Sequence, residues 1–304
     1  MRLTIIAVML SVSSFAQCGR NFDFSFGNFT GWRGDTGNVI VDMNLQTTMT
    51  TMNYSGIVNG WSYWDNNHQI TSGNQYDWNT CYQVPYVCPW GGPYSARLGN
   101  GSMNCHTEDI YYTYRVDPNN PILVYAFAPV LMDPNHPDYA QPAFISYAKD
   151  STGAVIPCTY YRVTATNLRG QLLCQQPGYT NVYRNWENVA VDLSAYAGRN
   201  ITVYFQTVDC GFCGHYGYAY LDIIGCYPKM ITLDCNPNGT LLTAPPGFER
   251  YQWSTGQSTQ SIIVGPNNWL VTCTITSVTG CRITLTARAV WPCPCPSLSM
   301  ISHN

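Results

Sequence analysis

Ile122-Leu123-Val124-Tyr125-Ala126-Phe127 is an unbroken run of strand-forming residues. It follows Asp117-Pro118-Asn119-Asn120-Pro121, whose composition is that of a turn. Similar runs recur at Ala143-Phe144-Ile145-Ser146-Tyr147, Ile201-Thr202-Val203-Tyr204-Phe205 and Tyr218-Ala219-Tyr220-Leu221-Asp222-Ile223-Ile224, and Asp150-Ser151-Thr152-Gly153 supplies a further turn. No stretch carries a long 3.6-residue apolar period with caps, so the chain reads as all-β. The hydrophobic side of each alternating strand must be covered, and two packed sheets do this most simply.

A break falls near Cys226-Tyr227-Pro228. Beyond it, short strands are expected around Ile231-Thr232-Leu233, Thr240-Leu241-Leu242, Tyr251-Gln252-Trp253, Ser261-Ile262-Ile263-Val264, Leu270 to Ile275 and Arg282 to Ala287. With Trp253 placed midway, this fits a small immunoglobulin-like sandwich. The tail Trp291-Pro292-Cys293-Pro294-Cys295-Pro296 cannot continue a sheet, because each Pro lacks a donor. The expected organisation is a leader over 1–16, a large sandwich over 18–228, an immunoglobulin-like module over 229–289 and a tail over 290–304. Within the large unit, residues 44–102 lack clean periodicity and read as long loops rich in Asn, Gly, Tyr and Trp.

The leader reading rests on Met1-Arg2-Leu3-Thr4, the short apolar run Ile5 to Leu10 and the small-residue site ending at Ala16. The apolar run is shorter than the about 20 residues a membrane span needs. Gln17 before Cys18 does not suit a lipid anchor. Export places the 14 cysteines in an oxidising compartment, where disulfides are their default use. A net charge of -3 with 10% charged residues gives no support to a nucleic-acid surface. At 45% hydrophobic and 14% aromatic, the 304-residue chain has enough apolar area for cores. A secreted or cell-surface location is therefore expected, with a polar surface built largely from uncharged side chains.

Three segments together resemble the exported surface proteins of gliding and related Bacteroidetes. They are Asn21 to Trp32, His136 to Phe144, and Trp186 to Gly198 with Gly214 to Asp222. In the second module, Tyr251 to Ile262 and Gly280-Cys281 are similar to the repeats of that family. The resemblance implies a jelly-roll-like domain followed by an immunoglobulin-like or PKD-like repeat. The chain ends at Asn304 without the C-terminal sorting domain usual in that group, so export by the same route is an analogy. The resemblance also implies a Cys235–Cys281 pair, with Cys235–Cys273 packing on Trp253 as the immunoglobulin-like alternative. Related carbohydrate-binding and MAM-like domains hold a structural calcium near their first and last strands. Asp23 and Asp222 are the expected ligands, with Asn21 and Asp192 as contributors; the alternative is a turn at Asp23 and a satisfied polar group at Asp222.

Chain proximity suggests Cys81 with Cys88 and Cys158 with Cys174. Cys210 and Cys213 could pair, and the rival redox reading lacks the helix start that activates a thiol. Zinc at His215 with Cys210 and Cys213, or at His106 beside Cys105, needs four ligands that spacing does not assemble. Glu108, Asp109, Glu187 and Asp209 are the carboxylates weighed for glycoside hydrolysis, but no motif places two of them across a cleft. Recognition of a surface polysaccharide, or of another cell-surface protein, is the more economical expectation. Trp61, Trp64, Trp78 and Trp90 form the candidate platform, because aromatic faces stack on sugar rings. Trp32, Trp186 and Trp253 are expected in cores. A purely structural surface module is the competing account.

Overall fold

In the computed structural model, residues 18–41, 47–52, 67–168, 170–265 and 270–289 are described. The leader, Trp61, Trp64 and the Pro/Cys-rich tail lie outside them. The large sandwich contains β1 (Arg33–Val41), β2 (Thr47–Met52), β3 (His68–Ser72), β4 (Tyr94–Leu98), β5 (His106–Arg115), β6 (Ile122–Met132) and β7 (Ala143–Asp150). It continues with β8 (Tyr161–Thr164), β9 (Leu172–Gln176), β10 (Tyr179–Tyr183), β11 (Glu187–Asp192), β12 (Asn200–Val208) and β13 (Gly217–Tyr227). One sheet has the order β2-β1-β5-β12-β7-β8; the other runs β3-β4-β13-β6-β10-β9, with β11 also pairing β6. The fold is a large jelly-roll-like β-sandwich.

The run Ile122 to Phe127 is the first half of β6, and every residue of β6 is buried. Leu123, Tyr125, Phe127 and Leu131 point between the two sheets, where they join Phe144, Phe205 and Leu221. The N-terminal loop completes this core with Phe22, Phe24 and Trp32, the last two stacked at 4.8 Å. On the opposite face of β6, Ala126, Ala128, Val130 and Met132 pack under Val84 and Cys88 from the loop before β4. Ile122 and Val124 on that same face belong instead to the core of the second module.

That module has β14 (Thr232–Asn236), β15 (Gly239–Thr243), β16 (Arg250–Trp253), β17 (Ser261–Val264), β18 (Val271–Thr276) and β19 (Arg282–Ala287). Two three-stranded sheets, β14-β15-β17 and β16-β18-β19, make a small immunoglobulin-like sandwich. Trp253, Leu242 and Ile275 fill it, and Phe248 packs with Val124 and Ala190 of the large unit. The junction is polar at its rim: Lys229 Nζ lies 2.8 Å from Asp192 Oδ2, and the Ala190 amide donates to the Gly247 carbonyl at 2.8 Å. Trp32, Trp186 and Trp253 are all core residues.

The disulfides correct the pairings read from chain proximity and from the family resemblance. Cys81 joins Cys174, not Cys88, because the turn at Trp78–Thr80 lies against β9. Cys88 is a free, buried thiol that burial pushes up to about 12. Cys158 joins Cys281 across the module junction, which excludes both Cys158–Cys174 and Cys235–Cys281. Cys213 reaches back to Cys105, leaving its sequence neighbour Cys210 as a free thiol. Cys235 is disulfide-bonded, but Cys273, opposite Trp253 in the sheet, is free. Cys18–Cys226 ties the start of the large sandwich to its last strand. In each case the sheet brings together segments far apart in sequence. Four such bonds fit an extracellular location, and among the described residues no helix is long and apolar enough to cross a membrane.

Replacing Cys158 and Cys281 together by Ser opens a link of sequence separation 123 and is expected to cost about 2–4 kcal/mol. Calorimetry should show a lower melting temperature and a separate transition for the small module. An unchanged single transition would mean that the shared apolar junction alone couples the two units.

Candidate functional site

The outer face of the six-stranded sheet carries a row of tyrosines that adjacent strands place side by side. Alternation along β5 turns Ile110, Tyr112 and Tyr114 inward, so Thr107, Asp109, Tyr111 and Thr113 face out. Tyr111 is directly opposite Tyr204 on β12, and Tyr204 is opposite Tyr147 on β7. Their rings stack at 5.1 and 4.8 Å, and Tyr160 extends the row at 6.4 Å from Tyr147. Arg33 on β1 is the register partner of Tyr111 at the other end. Stacked rings cover one another's faces, so the row presents edges and phenol groups to solvent. Lys149 Nζ sits 5.4 Å from the Tyr147 ring centroid and 5.0 Å from that of Tyr204, within cation–π range.

One step along the strands lies a deeper row of Asp35, Asp109 and Gln206, again in register. Asp109 is 7% exposed and Gln206 4%, so this row forms the floor beside the tyrosines. Asp109 Oδ1 accepts the Asp35 amide at 3.1 Å, and His68 Nε2 lies 3.0 Å from the Asp109 carbonyl. Burial foremost, then the charge of Asp35, pushes the Asp109 carboxyl up to about 6. Burial also raises Asp35, against the pull of His68. Burial raises the phenols of Tyr111 and Tyr204, and that of Tyr147 to about 12, so all three stay neutral and both donate and accept hydrogen bonds near neutrality. The face thus offers hydroxyls, a carboxylate pair, an amide and one ammonium group.

Of the tryptophans expected to form a platform, Trp78 and Trp90 lie among the described residues. Trp78 and Trp90 are each 50% exposed, but on the loop that covers the other sheet. Gln176 on β9 donates to the Trp78 carbonyl at 3.4 Å, whereas Trp90 Nε1 donates to Asn188 Oδ1 on β11 at 2.8 Å. Asn79, next to Trp78, accepts from Asn181, whose partner is Met132, while the partner of Asn188 is Ala126; six residues of β6 separate the two sites by roughly 20 Å. Trp78 borders a pocket of about 260 Å³ with Asp77, Arg97 and Tyr179. There Asp77 Oδ2 is already taken by the hydroxyls of Tyr218 and Tyr220, at 2.7 and 2.9 Å.

The four carboxylates weighed for hydrolysis do not share a cleft. Glu108 points inward and accepts from Thr207 at 3.0 Å. Asp209 braces a loop, accepting the amides of His106 and Gly217, and burial pushes it up to about 7. Glu187 lies at the module junction, 2.8 Å from Arg184, where burial also raises it to about 7. It borders a cleft of about 630 Å³ with Arg162, Arg184, Phe248 and Thr279.

Of the expected calcium ligands, the structure brings Asp222 and Asp23 near one another. Asp222 is fully buried beneath the loop before β4; Oδ2 accepts from Ser95 at 3.1 Å, and Oδ1 has no hydrogen-bond partner. Burial, the largest cause, and the charge of Asp23 hold its carboxyl well above the usual range. A side chain at Gly91 would collide with Asp222 Oδ2, so glycine there permits the loop's close approach. A buried carboxylate oxygen without a donor, beside a second carboxylate, fits a hard cation. Asn21 does not belong to this set: its amide donates to the Asn28 and Thr30 carbonyls, and its oxygen accepts the Phe26 amide. Asp192 is also elsewhere, paired with Lys229 and opposite Ile122, four residues from the Ala126 that faces Asp222. These two assignments are corrected by geometry.

No protein-family model and no curated protein matches the chain. Solved structures do. A carbohydrate-binding module, TmCBM61, in complex with β-1,4-galactotriose gives a TM-score of 0.34 at 8% identity, over 70% of this chain and 98% of that one. A CBM27 module from Caldicellulosiruptor saccharolyticus in complex with mannohexaose gives 0.30 at 10%, over 67% and 93%. A β-1,2-glucanase from Parabacteroides distasonis gives 0.27 at 12%, over 88% and 39%. At such scores and identities no ligand and no catalytic residue carries across.

The tyrosine row was missed from sequence. Its only signal is a Tyr on the alternating outward position of three separate strands, and sequence does not give the register that aligns them.

An acid raised above its unfolded value holds its proton more tightly when folded, so stability falls as pH rises from about 4 through about 6. Asp109→Asn removes that cost. It should raise the melting temperature near pH 7 and leave it nearly unchanged near pH 4. An equal shift at both pH values would show that Asp109 ionises freely in the folded protein.

Proposed function

We propose that this is a non-catalytic extracellular protein that binds a neutral, hydroxyl-rich glycan on the outer face of its six-stranded sheet. The observation that carries the reading is the in-register row Tyr111–Tyr204–Tyr147, flanked by Asp35, Asp109 and Gln206 on one side and Lys149 on the other. Sugar hydroxyls need paired donors and acceptors at close spacing, which phenols, carboxylates and an amide supply together. Tyr160, 54% exposed at the end of the row, offers a ring for stacking. A surface polysaccharide is the partner class this chemistry suits, and adhesion is the role proposed for a surface-located chain.

Calcium is part of the proposal. Asp222 and Asp23 would hold it, and it would neutralise the buried Asp222 carboxylate beside the half-buried Asp23 and lock the N-terminal loop to β13. Its role is structural, on the opposite sheet from the tyrosines. Added calcium should raise the melting temperature of the wild-type protein and not that of Asp222→Asn. An equal rise in both would place the ion elsewhere.

A second reading, a rigid structural module, is favoured by the module junction, where a shared core and Cys158–Cys281 fix the two units together. A glycan and polysaccharide binding screen separates the readings. Saturable binding that falls at least about tenfold in Tyr204→Ala, the loss of about 1.4 kcal/mol, supports recognition. Absence of binding across the screen removes it in favour of the structural role. Hydrolysis of a bound glycan, lost in Asp109→Asn, would instead make the carboxylate pair catalytic.

A further inference from the structure

We propose that His136, Cys210 and His215 form a binding site for a zinc ion, separate from both the tyrosine face and the Asp222 site. Their ligand atoms all lie within 4.8 Å of one another. Cys210 Sγ is 3.3 Å from His215 Nδ1, close to the roughly 3.5 Å that separates sulfur and nitrogen ligands on one tetrahedral zinc. His136 Nδ1 is a buried nitrogen without a hydrogen-bond partner, and its ring lies 5.1 Å from that of His215. Two imidazoles and one thiol suit a borderline-soft divalent ion, whereas calcium prefers oxygen ligands.

The surrounding loops hold these residues in place without any ion. Cys105–Cys213 staples the β12–β13 loop to the start of β5, so Cys213 is used up and Cys210 stays reduced. The Cys210 amide donates to the His215 carbonyl at 2.9 Å, closing a tight loop that points thiol and imidazole at one another. The Gly211 amide donates to the Ala140 carbonyl at 3.2 Å, binding this loop to the segment that carries His136. Cys210 itself is buried, while His136 and His215 are half-buried and leave a way in. Binding releases the Cys210 thiol proton to solvent as the zinc–sulfur bond forms. Water takes the fourth position.

The test uses oxidised, chelator-treated protein covering residues 17–304 and zinc alone as probe. Calorimetric titration should give one zinc per chain, undiminished by excess calcium. Cobalt should give a thiolate-to-metal absorption band. Cys210→Ser should abolish the band and weaken zinc at least about a hundredfold, and His136→Ala should weaken it at least about tenfold. Far-UV circular dichroism and an intact Cys105–Cys213 bond certify that each variant is folded. Asp222→Asn should leave zinc binding unchanged. Absence of saturable zinc binding, or binding unaltered in both Cys210→Ser and His136→Ala, would overturn the site.

Discussion

A strand buried on both faces over its whole length is the constraint on which the rest of this protein rests. β6 contributes to three cores at once: the inter-sheet core, the cover under Val84 and Cys88, and the small module. A sandwich strand ordinarily has one solvated face, so the second face of β6 obliges the chain to supply two further lids. That demand explains both the long excursion before β4 and the docking of a separate sandwich against Ile122 and Val124. Pro129 shows how tightly the strand is specified. It lacks a donor, and it falls where β11 has ended and β10 has not begun, between the pairings of Phe127 and Val130.

What the sequence made legible was local. Runs such as Ile201 to Phe205 carry their own strand signal, and Trp253 marks the small sandwich because a single large ring needs a core. What stayed hidden depends on register and on chain crossings. Tyr111, Tyr147 and Tyr204 each look like ordinary outward residues until the sheet aligns them. The cysteines fail for the same reason: Cys81 and Cys88 are near in sequence, yet the first faces β9 and the second lies buried beside Asp222. Tryptophans drew the eye because a Trp is rare and large, but Trp78 and Trp90 belong to two separate places on the covering loop.

Buried acids show how one side-chain chemistry is settled in different ways. Asp77 caps a short turn and accepts two phenols, Asp209 receives the backbone amides that open β5 and β13, and Glu187 leans on Arg184. Glu187 and Asp222 each keep a buried oxygen without a donor, but among the described residues Glu187 is paired with Arg184 and Asp222 with no basic side chain. The contrast gives a physical reason to look for a cation there and not at the others.

The Cys18–Cys226 bond has a mechanical consequence. A chain tethered at one end and pulled at the other carries load along its shortest covalent route. Here that route enters at Cys18 and leaves at Cys226, bypassing a sequence separation of 208, or roughly 700 Å of extended chain. The strands that display Tyr111, Tyr147 and Tyr204 lie inside the bypassed loop. Tension applied through the termini therefore bypasses the strands of Tyr111 and Tyr147, whereas Cys158–Cys281 ties the segment that carries Tyr204 to the small module.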